Sequence, residues 1–258
     1  MEDIIEHISK QGEYCFLEAD LRQAEARVVA LLSNNEDILT LFDSIDMHKF
    51  TASNVLGVPF ENVTKEMRFI GKECRHAGNL GVKKRRFMLM VNTDAKKFHI
   101  DLSISEWKAG QLLEAFHAFD PSIRGVFHAG IEKALRDNNR TLISPNGRRR
   151  QFLGRWEGNF LEETYAQIPQ STVGDQTKLA ALSFRKRLPH IPIIVEAHDA
   201  LIVMPSVQDK LEAAEVLKEE FEKPIDFEKC SLSRRPLIIP AEVKISYTNY
   251  RDFKDFEF

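Results

Sequence analysis

The chain has 258 residues, enough for one large domain or two small ones with a substantial core. Its 43% apolar and 29% charged content is that of an ordinary folded protein, and a net charge of −3 supplies no bulk attraction for a polyanion. Cys15, Cys74 and Cys230 form no CxxC pair, which argues against a zinc site or a disulfide framework and for buried, reduced thiols. No apolar run reaches the length of a membrane span, and the acidic Met-Glu-Asp-Ile-Ile-Glu start is unlike a signal peptide. A cytoplasmic location in a bacterial or similar cell is expected.

In chain order, Tyr14 to Ala19 reads as a short buried strand ending at Asp20. Helical spacing follows from Gln23 to Leu32, and Ser33-Asn34-Asn35 caps a further helix from Glu36 to Phe42. Thr64 is placed to cap one long helix running to about Met90. Between Ser103 and Phe119, Ile104, Trp107, Leu112, Leu113, Phe116 and Phe119 share a side, with Ser103 or Ser105 as the cap and Asp120-Pro121 as the stop. Another helix is predicted from Pro121 to about Asn138.

Thr141 to Phe152 reads as a hairpin turning at Pro145-Asn146-Gly147. A helix from Phe160 to Arg187 carries a predicted interruption at Ile168-Pro169. The apolar runs Ile193–Ala197 and Ala200–Met204 flank a two-residue tip, His198-Asp199, and form a second hairpin. A helix from Val207 to Phe221 and a strand from Pro236 to Tyr247 complete the chain. Strands thus flank a helical middle, so the expected class is α+β, an antiparallel sheet with a helical insertion.

Two acids stand at strand ends, Asp20 and Asp199. Alone, the first would be read as a helix cap and the second as a turn residue. Together at one sheet edge, such carboxylates suit hard divalent cations, and two metals so held serve phosphoryl transfer. Arg68, Lys72, His76 and Leu80 recur every four residues, which keeps them on one helical stripe able to grip a triphosphate. Gly71, Gly78 and Gly81 each cost a helix about 1 kcal/mol, which suggests close packing on this segment or movement of it. Two further basic clusters, Lys83–Arg86 and Arg148–Arg150, would alone be solvated patches.

These pieces resemble the motifs of family A DNA polymerases. Asp20-Leu-Arg-Gln23-Ala-Glu25-Ala-Arg27 resembles motif A. Arg68-x3-Lys72-x3-His76-x3-Leu80-Gly81 resembles motif B, the fingers helix, and Glu196-Ala-His198-Asp199 resembles motif C. Asp46-Met-His48, Gly147-Arg148-Arg149 and Ile168-Pro-Gln170-Ser-Thr172 are similar to three further family segments. All stand in the family's order, over nearly the whole chain, and look closest to phage-type members.

The resemblance implies a palm from residues 1–35 and 141–258 and fingers from 36–140. It implies two magnesium ions on Asp20 and Asp199 with the Leu21 carbonyl. Arg68, Lys72 and His48 would bind the incoming triphosphate, and Lys72 would donate a proton to the leaving pyrophosphate. His76 and Leu80 would lie beside the nucleotide, and Glu25 would be the steric gate against a 2′-hydroxyl, supported by Gln23 and Arg27. His198 would lie at the primer terminus. Gln170, Arg148 and Arg27 would belong to the DNA-binding set.

Four departures from the family pattern stand out. Leu80 replaces a usual Tyr, Ala200 a Glu common after the motif C Asp, Arg22 a small Ser, and Tyr250 a frequent Trp. A thumb and a proofreading exonuclease have no counterpart in the sequence. A second chain carrying them is therefore an expected partner, beside primer-template DNA and deoxynucleoside triphosphates. A single-subunit RNA polymerase shares the acids and the Arg/Lys helix, but Glu25 argues against it. A non-catalytic polymerase relic is the alternative from another class.

Overall fold

The computed structural model describes residues 13–156, 159–230, 232, 233, 235–249 and 252–258. Tyr250, expected where relatives carry a Trp, lies outside the described residues. Two compact units account for the chain. One contains the described residues up to Glu25, Gln170–Phe227 and the described residues from 235 onward; the other contains Ala26–Pro169 and the described part of Glu228–Ser233.

The first unit is built on an antiparallel sheet of five strands among the described residues, in the order β4-β5-β1-β6-β7. Strand β1 (Phe16–Leu21) lies at its centre between β5 (Ala200–Val203) and β6 (Ala241–Ser246). The outer strands are β4 (Ile193–Glu196) and β7 (Lys254–Asp255). Side-chain alternation decides what β1 presents. Leu17, Ala19 and Leu21 are buried, while Glu18 and Asp20, on the opposite face, are half-buried. The helix α9 (Lys210–Phe221) packs on β1 and β6, burying Ala213, Ala214, Leu217 and Phe221.

The strand expected from Tyr14 begins at Phe16, and Tyr14 makes only an isolated bridge to Ser206. The helix expected from Val207 begins at Lys210, because Ser206 and Asp209 first close a turn through the Ser206 hydroxyl. The late strand is confined to Ala241–Ser246, and β7 had no clear sequence signal.

The second unit is helical. It contains most of α1 (Ala24–Leu32), then α2 (Glu36–Leu41), α3 (Met47–Leu56), α4 (Lys65–Asn79), α5 (Lys84–Lys97), α6 (Glu106–Phe119) and α7 (Ala129–Asp137). Asn35, Asp46, Thr64 and Ser105 cap α2, α3, α4 and α6 through their side chains. The helices α3 and α4 pack side by side, and α6 packs on α3, α4 and α5. Ala30, Ile38, Phe42 and Met47 form one buried cluster.

Four expectations about helices are corrected here. The helix expected from Thr64 to Met90 is two helices, because the chain turns at Gly81, which takes φ +66 in the left-handed region, before α5 starts at Lys84. Trp107 does not share the buried side of α6 but is 72% exposed, since at about 100° per residue it falls on the face opposite Ala109 and Phe116. The helix α8 (Phe160–Arg187) is continuous through Pro169. Proline removes only one N–H, and the turns around it are secured by the buried Ile168, Thr172 and Val173. The segment expected as a single helix from Pro121 opens with a π-helical turn, Ile123–His128, ahead of α7.

The hairpin β2 (Thr141–Ile143) and β3 (Arg149–Gln151) pairs as expected, with Gly147 at φ +85 in its turn. Cys15, Cys74 and Cys230 are buried. Among the described residues no helix is long and apolar enough to cross a membrane.

Candidate active site

The first unit brings Asp20, Leu21, Glu25, His198 and Asp199 to one end of its sheet. Asp20 pairs across β1/β5 with Ala200, and the Leu21 N–H donates to the Asp199 carbonyl at 3.0 Å. Burial, and then the charge of Asp199, push the Asp20 carboxyl up to about 6. The two carboxylates at this sheet edge form an oxygen donor set of the kind a hard dication prefers. Among the described residues no group of three or more His, Cys, Asp or Glu side chains is placed to hold a metal ion. A metal here would therefore complete its shell from main-chain or substrate oxygens.

Past Leu21 the chain turns sharply, with Gln23 at φ +49 and its Oε1 enclosed without a hydrogen-bond partner among the described residues. That turn starts α1, whose first turn carries Glu25. Glu25 Oε1 lies 3.3 Å from His198 Nε2. The His198 carbonyl accepts from the Thr177 hydroxyl at 3.1 Å. Arg22 pairs with Glu242 on β6 at 2.9 Å. Gln170, also in this unit, is exposed.

The second unit carries the cationic stripe. Arg68, Lys72 and His76 are exposed on α4, whereas Phe69, Ile70, Cys74 and Ala77 are buried, so the four-residue spacing yields one solvent-facing row as expected. Leu80, half-buried, ends the helix. Gly71 permits the close approach of α3, for a Cβ there would overlap the His48 carbonyl and Ala52. Arg68 Nε donates to Asp46 Oδ2 at 2.6 Å, while Asp46 Oδ1 accepts from the His48 and Lys49 N–H groups. Burial opposes ionisation of Asp46, but the Arg68 hydrogen bond, the Lys49 N–H and the Arg68 charge outweigh it and hold the carboxyl below its ordinary range. Burial, and then the charge of Arg68, bring His48 down to about 4, with Lys72 adding to the effect. Its imidazole is therefore neutral at physiological pH.

Arg148 is exposed on the β2–β3 hairpin, in this same unit. Arg27 is not available to DNA, which corrects the expectation for it. It is 2% exposed, and its guanidinium donates to the Phe42 carbonyl at 3.1 Å and to Asp43 at 2.7 Å, pinning α1 to the end of α2. The spacing of motif A gives no sign of this, since a long cation at that offset can point either way. Two relationships had no separate sequence signal: the Asp46 grip on Arg68 and the contact of Glu25 with His198. Asp46 carried a legible cue, a capping acid two residues before His48, but nothing local announced Arg68 as its other partner.

The chain was compared with proteins of known family and structure. The model of DNA polymerase family A matches residues 6–250. DNA polymerase I of Helicobacter pylori is 27% identical over 242 residues, which are 91% of this chain and 24% of that protein. The Mycobacterium tuberculosis DNA polymerase I is 26% identical over 242 residues, 89% of this chain and 24% of the relative. The thermostable DNA polymerase I of Thermus aquaticus is 27% identical over 249 residues, 92% of this chain and 27% of the relative. The chain thus spans about a quarter of the length of these relatives. Among solved structures, the POL domain of Pol1 from M. smegmatis, in complex with DNA primer-template and dNTP, superposes with a TM-score of 0.70 at 21% identity, covering 92% of this chain and 40% of that one. The α+β sheet with its helical unit is the polymerase-domain fold. This chain belongs to DNA polymerase family A.

Proposed function

We propose that this chain carries the palm and fingers of a template-directed DNA polymerase, which extends a primer 3′ end with deoxynucleoside triphosphates. The first 35 residues and residues 141–258 would form the palm, and residues 36–140 the fingers. The observation that carries the reading is the placing of two acids together, Asp20 on β1 and Asp199 in the tip that leads into the neighbouring β5, where the charge of Asp199 bears on Asp20. Family membership and the primer-template and dNTP bound to the M. smegmatis domain support the choice of substrates.

In this reading Asp20 and Asp199, with the Leu21 carbonyl, would hold two magnesium ions. When bound, such ions neutralise charge at the attacking and leaving oxygens of phosphoryl transfer. The residues fit that task because both acids supply hard oxygen donors, and a dication would offset the burial and the Asp199 charge that raise Asp20.

The chain's own residues supply binding and positioning, which phosphoryl transfer needs more than covalent chemistry. Arg68 and Lys72 bind the triphosphate as a fork and a point charge, and neutral His48 adds a hydrogen bond. Lys72 donates a proton to the departing pyrophosphate. His76 and Leu80 lie against the nucleotide. Glu25, backed by Gln23, crowds a 2′-hydroxyl and so selects the deoxy sugar. His198 serves the primer terminus, and Gln170 and Arg148 the duplex, where phosphate contacts hold register without reading sequence.

The chain covers 40% of the solved polymerase domain, so the grip on DNA is proposed to involve polypeptide beyond these residues. The function is tested by primer extension with the protein purified from its native source together with whatever binds it. Mg²⁺-dependent extension with dNTPs is expected, and Asp199→Ala should abolish it. Extension untouched by Asp199→Ala would overturn the catalytic assignment.

A further inference from the structure

Glu25 and His198 come from opposite ends of the sequence, yet their side chains meet in the first unit, with Glu25 Oε1 3.3 Å from His198 Nε2. The plain account is an exposed ion pair of little worth, since such pairs contribute little once side-chain ordering is counted. Three features set this one apart. The tip that carries His198 is closed by the Ala197 N–H donating to the Ala200 carbonyl at 2.9 Å. The His198 carbonyl is tied to the Thr177 hydroxyl on α8. The imidazole edge lies against Gly174, where even a single methyl would sit 3.5 Å from Cε1 and Nδ1. The ring is thus held on a rigid hairpin and backed by a helix before it reaches Glu25, so little freedom remains to be lost.

A carboxylate that selects by crowding works only if it stays in place. Glu25 sits in the first turn of a helix, and its side chain is 27% exposed, against 49% for His198. A flexible glutamate would swing away from an added hydroxyl group instead of excluding it. We propose that His198 is a positioning residue for Glu25: its Nε2–H fixes the gate carboxylate and thereby sets how strongly ribonucleotides are rejected. The inference deepens the polymerase reading given above and rests on it. It gives His198 a task distinct from contact with a primer end, because holding Glu25 affects the choice of sugar and not only the rate.

The experiment measures kcat/KM for a dNTP and the matching rNTP on a recessed primer-template, using the native polymerase assembly. The variants are His198→Gln, which keeps a side-chain N–H, then His198→Leu, Glu25→Ala and the double variant. His198→Leu should lower the dNTP-to-rNTP ratio about fivefold, the upper range for an exposed pair. His198→Gln should restore most of that ratio, and in the Glu25→Ala background His198→Leu should shift it no further. A His198→Leu variant that slows both substrates by one common factor would overturn the proposal, as would a ratio change that persists without Glu25.

A second measurement separates this idea from the reading beneath it. The ring N–H resonance of His198 should move when Glu25 becomes Gln, whether or not the protein extends a primer. An unmoved resonance removes the pair. Absent dNTP extension, with the resonance moving as expected, removes the polymerase reading and leaves the contact standing.

Discussion

Arg68 Nε donates to the Oδ2 of Asp46 at 2.6 Å, and the same carboxylate caps α3 through its other oxygen. One acid therefore serves helix initiation and fixes the aim of the guanidinium that the proposed function assigns to the triphosphate. The two tasks separate by substitution. Asp46→Asn keeps an acceptor for the His48 and Lys49 N–H groups but loses the charge facing Arg68. It should melt within a degree or two of wild type, with dNTP affinity changed several-fold, because a half-exposed pair is worth at most about 1 kcal/mol. Asp46→Ala should also lose the cap, about 1 kcal/mol, read as a lowered melting temperature. Equal melting of the two variants would refute the division of labour.

Divalent ions should stabilise the first unit through Asp20 and Asp199. At ten times its dissociation constant a ligand contributes about 1.4 kcal/mol, enough to see in a thermal scan. Wild type should shift upward with Mg²⁺ and return on chelation, and Asp20→Asn and Asp199→Asn should each lose the shift. A shift that survives both substitutions would place the ions elsewhere.

Acid should loosen the second unit through its buried histidines. Burial first, then Arg124 and His128, bring His117 down to about 4, against a small opposing pull from Glu114. The unfolded chain takes up that proton near pH 6.5, whereas the folded one resists until about 4. The stability is thus complete above about 6.5 and is lost as pH falls toward 4, at most about 3 kcal/mol for the group. Denaturant titrations at pH 7 and pH 4.5 should show a smaller loss for His117→Gln than for wild type. An identical loss would mean that His117 does not carry the effect.

Gly71 should tolerate nothing larger. Adding a methyl there drives it into the His48 carbonyl, and overpacking of this kind costs about 1–3 kcal/mol. The expectation for Gly71→Ala is a clear drop in urea midpoint. The same change at Gly130, where a Cβ meets nothing within 4 Å, should be neutral or stabilising. A Gly71→Ala midpoint equal to wild type would show that α3 and α4 can move apart freely.

Local chemistry carried much of this molecule into view from its residues. The caps at Asn35, Thr64 and Ser105, the Asn146-Gly147 turn and the His198-Asp199 tip are each written in a few neighbouring positions, and the structure forms them there. The break after Asn79 was hidden because Lys84 to Met90 resumes a helical pattern, so Gly81 counted as a cost inside a helix instead of a stop. The helix α3 was missed because Asp46-Met-His48 drew attention as chemistry and not as an N-terminus. Pairing was the deeper limit. No local pattern says that Leu17 lies between Val203 and Ile245, or that Arg27 turns inward to Asp43.

That central seat of β1 has a consequence for how the protein is made. Its neighbours on both sides come from the last third of the chain, so Phe16 to Ala19, the most apolar stretch near the start, leaves the ribosome long before anything can cover it. Long-range pairing of this sort is slow, and bare strands invite aggregation while they wait. The newborn sheet should depend on shelter until residues 200–246 arrive, and polypeptides truncated before β5 should be recovered bound to chaperones.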